Sequence, residues 1–334
     1  MMKGVAILLM IFLHLFNQSD NVEICRNILY IDGVPLVLIL SRAANPVAFF
    51  LILGCYGLYK VFLRGDKHRY SRILKLYIHY WTILLVFVGI GSFMYPTLYP
   101  GSFVKIVSNL TGYHTTYNGE MWFLLPYVVL SALAPWLFRL MMRFRAITVV
   151  LVTLLIHIAT SFCISRYGGA FLFSNLWAYT PLLVFHLLFN FSLGAMAARS
   201  CFFERVMRVS RKYWYVSILS WGGVIVLVWI SCVFKYNFFY AFGIITCLII
   251  APMPKSVSTV LCKLGDQSMN MWMIHSWFCY YLFHKFIYSF SYPLLIFVVT
   301  VIVSYISSLI INKLTVPIER LLIPKVEIRE KPIL

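Results

Sequence analysis

A lysine and a histidine in the first apolar run of the chain have a spacing that suits chemistry inside a membrane. Lys3 and His14 enclose the run over 4–13. The eleven residues from one to the other turn an α-helix through about 1100° and span about 16 Å, so both side chains share one face and His14 lies roughly halfway through a bilayer. A histidine at that depth is costly to bury, which makes it a candidate functional residue. The alternative is a signal peptide, or an anchor with a histidine near its outer end.

Two arginines at a three-residue spacing form a second candidate site. Arg69 and Arg72 belong to a basic cluster over 64–75 that precedes the third apolar run. Residues three apart share a helix face, and the forked guanidinium group binds phosphate through two parallel hydrogen bonds. The cluster therefore indicates an anion site. The alternative is a basic anchor that only sets the membrane topology.

Arg42 and Glu120 are charged residues within or beside apolar segments. Arg42 interrupts the second segment, so it is either the cation of a substrate pocket or a structural or snorkelling residue. Glu120 directly precedes the apolar run that starts at Met121. Its carboxylate could orient a histidine or bind a sugar hydroxyl. The alternative is an acid that stabilises a helix N-terminus through the helix dipole.

Histidines elsewhere in the apolar segments carry weaker signals. His275 follows the stretch 264–268 and lies about three turns into the helix expected there. Taken alone, it is a satisfied packing residue. We interpret His79, His157 and His186 as structural, because the sequence indicates no partner for any of them.

The composition shows which elements must position these residues. Of the 334 residues, 62% are hydrophobic and 11% are charged, and apolar runs of helix length recur throughout. This excludes a soluble globular domain and, because the runs are continuous rather than alternating, a β-barrel. We expect an all-α polytopic membrane protein. About ten transmembrane helices are predicted, over 2–16, 35–59, 73–95, 121–140, 146–165, 176–198, 213–234, 237–252, 259–287 and 291–313.

The basic residues predict the orientation of these helices. The net charge is +18, but the cations fall in short clusters between apolar runs. This is typical of loops that face an anionic cytoplasmic leaflet and not of a protein that binds nucleic acid. Both termini are therefore predicted to be cytoplasmic, and 17–34 and 96–120 to be the longest outer loops. Apart from Arg42, the cations left outside are Arg26, Lys105, Arg166, Lys235 and Lys285.

The domain organisation is predicted to be simple. No linker or composition shift divides the chain, so we expect one transmembrane domain over 1–320 and a short cytoplasmic tail over 321–334. The eight cysteines lack metal-ligand spacing, and only Cys25 lies clearly in an outer loop. Neither a metal site nor a disulfide framework is therefore expected.

Four stretches, in this order along the chain, resemble the acyltransferase-3 family of integral membrane acyltransferases. They are Lys3-x10-His14, similar to Arg-x10-His; 45–54, similar to Pro-x-x-Phe-Phe-x-x-Ser-Gly; Arg69-Tyr70-Ser71-Arg72, similar to Arg-x-x-Arg; and 264–268 with His275, similar to Leu-Gly-x-x-Ser followed by Leu-His. The stretches 120–124 and 316–319 resemble the family more weakly. The sequence departs from the pattern at Lys3, where the family has arginine, and at Leu53, where it has serine.

The resemblance implies transfer of an acyl group, most often acetyl, from cytosolic acyl-CoA to a hydroxyl of an extracytoplasmic saccharide. This is the O-acetylation of a cell-envelope polysaccharide, expected at a bacterial inner membrane. His14 would be the general base and Glu120 would fix its tautomer, although an acyl-histidine intermediate stays open. The remaining implied roles are acyl-CoA binding by Lys3, Arg69 and Arg72, and acceptor binding by Arg42, Trp122 and His275.

Two other classes of protein stay open. Ten helices and a cation within the second segment would suit a transporter or flippase for a saccharide or a lipid-linked saccharide, although no inverted repeat is visible. The second class is a structural subunit of a polysaccharide-assembly machine.

Overall fold

A computed structural model describes residues 1–65, 69–234 and 238–323, except for the side chain of Arg69. Almost all of this chain is helical. Its α-helices are α1 (Met2–Phe16), α2 (Ser19–Glu23), α3 (Leu36–Arg42), α4 (Pro46–Leu63), α5 (Arg69–Met94), α6 (Phe103–Thr111), α7 (Leu124–Met142), α8 (Ala146–Tyr167), α9 (Leu176–Arg199), α10 (Phe202–Lys212), α11 (Trp214–Val233), α12 (Tyr240–Ile250), α13 (Lys255–Ser276), α14 (His284–Tyr288) and α15 (Pro293–Leu322).

Five shorter elements complete the described structure. The strands β1 (Tyr30–Ile31) and β2 (Val34–Pro35) form an antiparallel hairpin. Two 3-10 helices lie at Gly119–Phe123 and Leu172–Ser174, and a π-helical turn lies at Trp277–Tyr281.

Seven helices of the described chain are long and apolar enough to cross a membrane. They are Leu36–Leu63, Tyr70–Met94, Gly119–Met142, Ala146–Tyr167, Leu176–Arg199, Trp214–Val233 and Pro293–Leu322. Met2–Phe16 and Tyr240–Ile250 are apolar but shorter, and each of the ten predicted segments coincides with helical structure. The protein is thus an all-α integral membrane protein. The count of ten crossings and the cytoplasmic termini stay predictions, and "outer" and "inner" below follow the predicted orientation.

The second predicted segment is a broken helix. Helix α3 ends at Arg42, and α4 begins only at Pro46. A proline disfavours helical backbone at the residue before it, and Asn45 accordingly adopts φ −124° and ψ 65°. The break leaves Arg42 at the end of a short helix, exposed rather than inside the bundle.

Helices α1 and α13 cross at glycines. A Cβ atom at Gly4 would overlap the backbone carbonyl of Leu261, and one at Gly265 would lie 3.2 Å from the backbone nitrogen of Gly4. Small residues let two helices in a membrane approach to backbone contact. The glycine of the 264–268 stretch therefore brings α13, which carries His275, against α1, which carries His14.

A polar network joins α5, α13 and α15 in the inner half of the bundle. His79 Nε2 lies 2.5 Å from a carboxylate oxygen of Glu319, whose other oxygen accepts from Lys75 Nζ at 2.8 Å. His79 Nδ1 lies 2.7 Å from Asn270 Oδ1, and Asn270 Nδ2 donates to Asn312 Oδ1 at 2.9 Å. His79 thus has the partners that the sequence alone did not reveal, and the network fixes α5 to α13.

Candidate active site

His14 and Glu120 meet where the last turn of α1 contacts the 3-10 helix before α7. His14 is on the last turn of α1, buried to 8% exposure, and its Nδ1 lies 3.3 Å from Glu120 Oε2. Glu120 is on the 3-10 helix Gly119–Phe123, directly before α7. A carboxylate beside Nδ1 favours the tautomer of a neutral His14 that carries its proton on Nδ1. The lone pair is then on Nε2, which has no hydrogen-bond partner in the described chain, and this arrangement suits a general base.

His275 is the second histidine of the site. It is fully buried, and its ring centroid lies 5.0 Å from that of His14. Its Nδ1 donates to the carbonyl of Trp272 at 2.8 Å, so the lone pair of the neutral ring is on Nε2. No described residue bonds that Nε2, although it is buried. The neighbouring rings of His14 and His275 therefore each carry an unprotonated Nε2.

Asn118 holds the Glu120 segment against α13. Its Oδ1 accepts from the backbone nitrogen of Glu120 at 3.2 Å and from the Ser276 hydroxyl at 2.9 Å. Its Nδ2 donates to the carbonyl of Met273 at 3.2 Å. This one buried side chain caps the 3-10 helix and ties it to the turn of α13 that carries His275. Its only signal in the sequence is an asparagine two residues before Glu120, which is too common a pattern to identify it.

The π-helical turn after α13 aims two tyrosines into the site. Tyr280 donates to the backbone carbonyl of His14, and its hydroxyl also lies 3.0 Å from Asn17 Oδ1. The Tyr281 hydroxyl accepts from the backbone nitrogen of Gly119 at 2.7 Å. A π-turn adds a residue to the helical repeat and so changes the direction of the side chains that follow, which sequence periodicity does not reveal.

An outer cavity opens beside the dyad formed by His14 and Glu120. Its volume is about 460 Å³. The lining is polar and comes from the first outer loop, from the Glu120 segment and from the stretch after α13: Gln18, Asn21, Glu120, Tyr280, Tyr281 and His284. Ligand sites commonly combine such a concave surface with a few convergent polar groups.

An inner cavity lies between α4, α5 and α7. Its volume is about 480 Å³, and its lining is mainly apolar: Leu58, Phe62, Gly65, Tyr70, Arg72, Ser131, Ala134, Pro135, Phe138 and Arg139. It brings the predicted Arg72 together with Arg139, which the sequence indicated only as a topology cation. The side chain of Arg69 lies outside the described part of the chain.

Like His14 and His275, three other predicted site residues line neither of these two cavities. Lys3 is exposed on the inner end of α1, and Arg42 is exposed after α3. Trp122 is 37% exposed and packs against Phe123. The roles predicted for these residues stay predictions. Among the described residues, no group of three or more histidines, cysteines and acids could hold a metal ion.

A helical membrane bundle in which a buried histidine lies beside a half-buried carboxylate defines a class of candidate membrane enzymes. Comparison with known families identifies the chemistry of this class. A family described as an acyltransferase domain matches residues 1–313. The chain belongs to this family, acyltransferase-3, as its four sequence stretches indicated. It is therefore a membrane acyltransferase, which needs an acyl donor and an acceptor. No curated protein and no solved structure matches the chain.

Proposed function

We propose that the protein is an O-acyltransferase that moves an acyl group, acetyl in the simplest case, from cytosolic acyl-CoA to a hydroxyl of an extracytoplasmic saccharide. The observation that carries this proposal is the 3.3 Å contact between His14 Nδ1 and Glu120. It pairs His14 with Glu120, and Glu120 lines the polar outer cavity. A bacterial inner membrane, with ten crossings and both termini in the cytoplasm, is part of the proposal.

His14 acts as general base in the proposed reaction. Its Nε2 takes the proton of the acceptor hydroxyl while that oxygen attacks the thioester carbonyl carbon. The carbon–sulfur bond breaks, and the proton passes from the imidazolium to the leaving thiolate, which gives free CoA and the O-acyl ester. Glu120 stabilises the imidazolium and holds the ring in its productive tautomer. A transient acyl-histidine on the same nitrogen is an alternative order of these steps.

His275 binds the acceptor in this proposal. Its Nε2 is a buried acceptor without a described partner, and its ring lies beside that of His14. An unmade hydrogen bond of this kind costs free energy that a bound hydroxyl would recover. The proposed role is to hold the acceptor hydroxyl close to His14. Arg42 and Trp122 would contact parts of the saccharide that extend beyond the outer cavity.

The inner cavity suits the acyl donor. Arg72 and Arg139 place two guanidinium groups in a mainly apolar pocket of about 480 Å³, which supports binding of the CoA phosphates with the pantetheine arm in the pocket. Arg69 and Lys3 would add positive charge on the same side. Ser131 lines the pocket and is buried, and its hydroxyl could bond an amide of the pantetheine arm.

Acetyl transfer by purified protein tests the proposal. Protein in lipid vesicles is incubated with radiolabelled acetyl-CoA and a panel of oligosaccharides, and label is measured on the saccharide and on the protein. His14→Ala should abolish transfer, a loss of at least about a thousandfold, because the base is gone. The matched control is His114→Ala, which removes an exposed histidine of the second outer loop and should leave transfer unchanged.

The same assay separates the alternative classes. Saccharide uptake by the vesicles without any transfer of label would indicate a transporter instead. A fully active His14→Ala variant would refute the assigned base. Label that stays on wild-type protein but is absent from His14→Ala would favour the acyl-histidine order of steps.

A further inference from the structure

The lining of the outer cavity indicates the charge of the acceptor. We infer that this cavity binds an uncharged sugar unit, which Asn21 holds through its side-chain amide, and that it rejects sugar units carrying a carboxylate. This inference rests on the proposed function, because it names the substrate class of the same site.

Asn21 is a buried donor without a partner. It lies on α2, is 7% exposed and lines the cavity. Its Oδ1 is 3.1 Å from His284 Nε2, so the histidine donates and the amide accepts. Its Nδ2 is buried and has no hydrogen-bond partner in the described chain. Buried amides are nearly always satisfied, and an orphan donor at a cavity wall points to a ligand that accepts a hydrogen bond.

His284 keeps Asn21 in this orientation. The imidazole stacks on Tyr288, with ring centroids 4.5 Å apart, and the Tyr288 hydroxyl donates to the carbonyl of Leu15 at 2.7 Å. The histidine is thereby fixed relative to the end of α1. With its Oδ1 facing His284 Nε2, Asn21 directs its Nδ2 away from the histidine.

The charge around the cavity disfavours an anion. Among the described residues that line it, Glu120 is the one acid and none is a lysine or arginine. The nearby cation Arg26 lies over the ring of Tyr292, 6.0 Å from its centroid, and Lys285 is exposed outside the lining. A carboxylate in this cavity would lose its hydration without gaining a lysine or arginine as partner and would lie beside the acid Glu120, which should lower affinity at least about tenfold.

The other lining groups suit hydroxyls. The Tyr281 hydroxyl accepts from Gly119, which leaves its own proton available to a ligand. Gln18 adds both a donor and an acceptor, and the tyrosine rings offer apolar faces to the C–H groups of a sugar. The set can donate and accept many hydrogen bonds without any compensating positive charge.

Matched pairs of sugars test the inference without an acyl donor. The probes are the methyl glycosides of glucose, galactose and mannose and the corresponding methyl uronates, which differ only in a CH₂OH or a carboxylate. Binding to the full chain in detergent is measured by saturation-transfer NMR. We expect at least one neutral glycoside to bind and its uronate to bind at least about tenfold more weakly. Equal or tighter binding of the uronate, or no binding by any neutral glycoside, would overturn the inference.

Two variants locate the binding at Asn21. Asn21→Asp keeps the size of the side chain and an acceptor for His284 but removes the orphan donor, so the neutral glycoside should bind at least about fivefold more weakly. Asn175→Asp makes the same change at the start of α9, outside the lining, and should bind as wild type does. Unchanged binding by Asn21→Asp would refute the assigned contact between Asn21 and the sugar. The charge preference needs no variant, because the comparison of each glycoside with its uronate on the wild-type chain decides it.

The result is separable from that of the transfer assay. Because no donor is present, sugar binding does not depend on the proposed chemistry. Selective binding of neutral glycosides by a protein that transfers no acyl group would refute the proposed reaction and leave the cavity assignment standing. Acyl transfer to a uronate would instead support the proposed reaction and refute the assignment of the cavity to uncharged sugars.

Discussion

His14 Nδ1 lies 3.3 Å from the carboxylate of Glu120, and this contact joins the first helix of the chain to the 3-10 helix before α7. Each residue is ordinary for its position: one ends an apolar helix, and the other begins a helix where the dipole favours an acid. Together they form a base and the group that orients it. The contact between the two residues therefore identifies the site, whereas neither residue identifies it alone.

The first prediction concerns the charge of Glu120. Glu120→Gln keeps the shape of the side chain but removes the negative charge and can donate to His14 Nδ1, which stabilises the wrong tautomer. We expect kcat for acetyl transfer to fall by about 10²–10⁴ with a much smaller change in KM. Steady-state kinetics on a glycoside acceptor measure both constants. Glu23→Gln, at an exposed position of α2, is the matched control. A Glu120→Gln variant with wild-type kcat would remove Glu120 from the mechanism.

The second prediction concerns the donor site. Arg72→Ala and Arg139→Ala should each weaken acetyl-CoA binding by about tenfold or more, because each removes a charge-assisted hydrogen bond to phosphate. Calorimetric titration with acetyl-CoA gives the dissociation constants. Arg145→Ala removes an exposed arginine of the same inner surface and should leave affinity unchanged. Wild-type affinity in both test variants would reduce the two arginines to topology cations.

The third prediction concerns the crossing of α1 and α13. Gly4→Ala places a methyl group against the backbone of Leu261, where neither helix can yield easily. We expect a loss of about 1–3 kcal/mol in the free energy of unfolding, together with reduced transfer because His14 shifts relative to His275. Thermal unfolding in detergent measures the stability. Gly57→Ala is the control, since a Cβ there meets nothing within 4 Å, and equal effects of both substitutions would contradict the packing argument.

The fourth prediction concerns the attachment of α10 and its pH dependence. The Glu204 carboxylate accepts from Tyr56 at 2.6 Å and from Lys60 at 2.9 Å. Burial acts to raise the pKa of Glu204, but these two hydrogen bonds outweigh it and hold the pKa below its ordinary value. A lowered pKa means that the contribution to stability is present above the ordinary pKa of the carboxyl and is lost as the pH falls through the lowered value.

Limited proteolysis measures this attachment. Glu204 is partly exposed, so the contribution to stability is under about 1 kcal/mol, and Glu204→Gln should increase tryptic cleavage after Arg205 and Arg208 only a few-fold at neutral pH. The increase should disappear near the lowered pKa, where the wild-type carboxyl is also protonated. Cleavage that does not differ between the two proteins at neutral pH would show that α10 is held by its apolar face alone.

Local composition explains why so much of the fold could be predicted from the sequence. An apolar run forms a helix in a membrane because its backbone groups must bond within the run, so the helical segments could be read without knowing their neighbours. The breaks were harder to predict. The second segment divides at Asn45, and a π-turn interrupts the ninth. A proline and a one-residue insertion in the helical repeat cause these breaks, and both act on backbone geometry and not on hydrophobicity.

By itself, the sequence determined the membrane class, the order of the helices, the family and the candidacy of His14, because these depend on composition and on short motifs. Only the tertiary structure decided which residues meet. It placed Glu120 and His275 beside His14, supplied Glu319 as the partner of His79, and opened a cavity at Asn21. The physical reason is that such contacts join residues far apart in the chain, and the packing of whole helices sets them, not the spacing within any one helix.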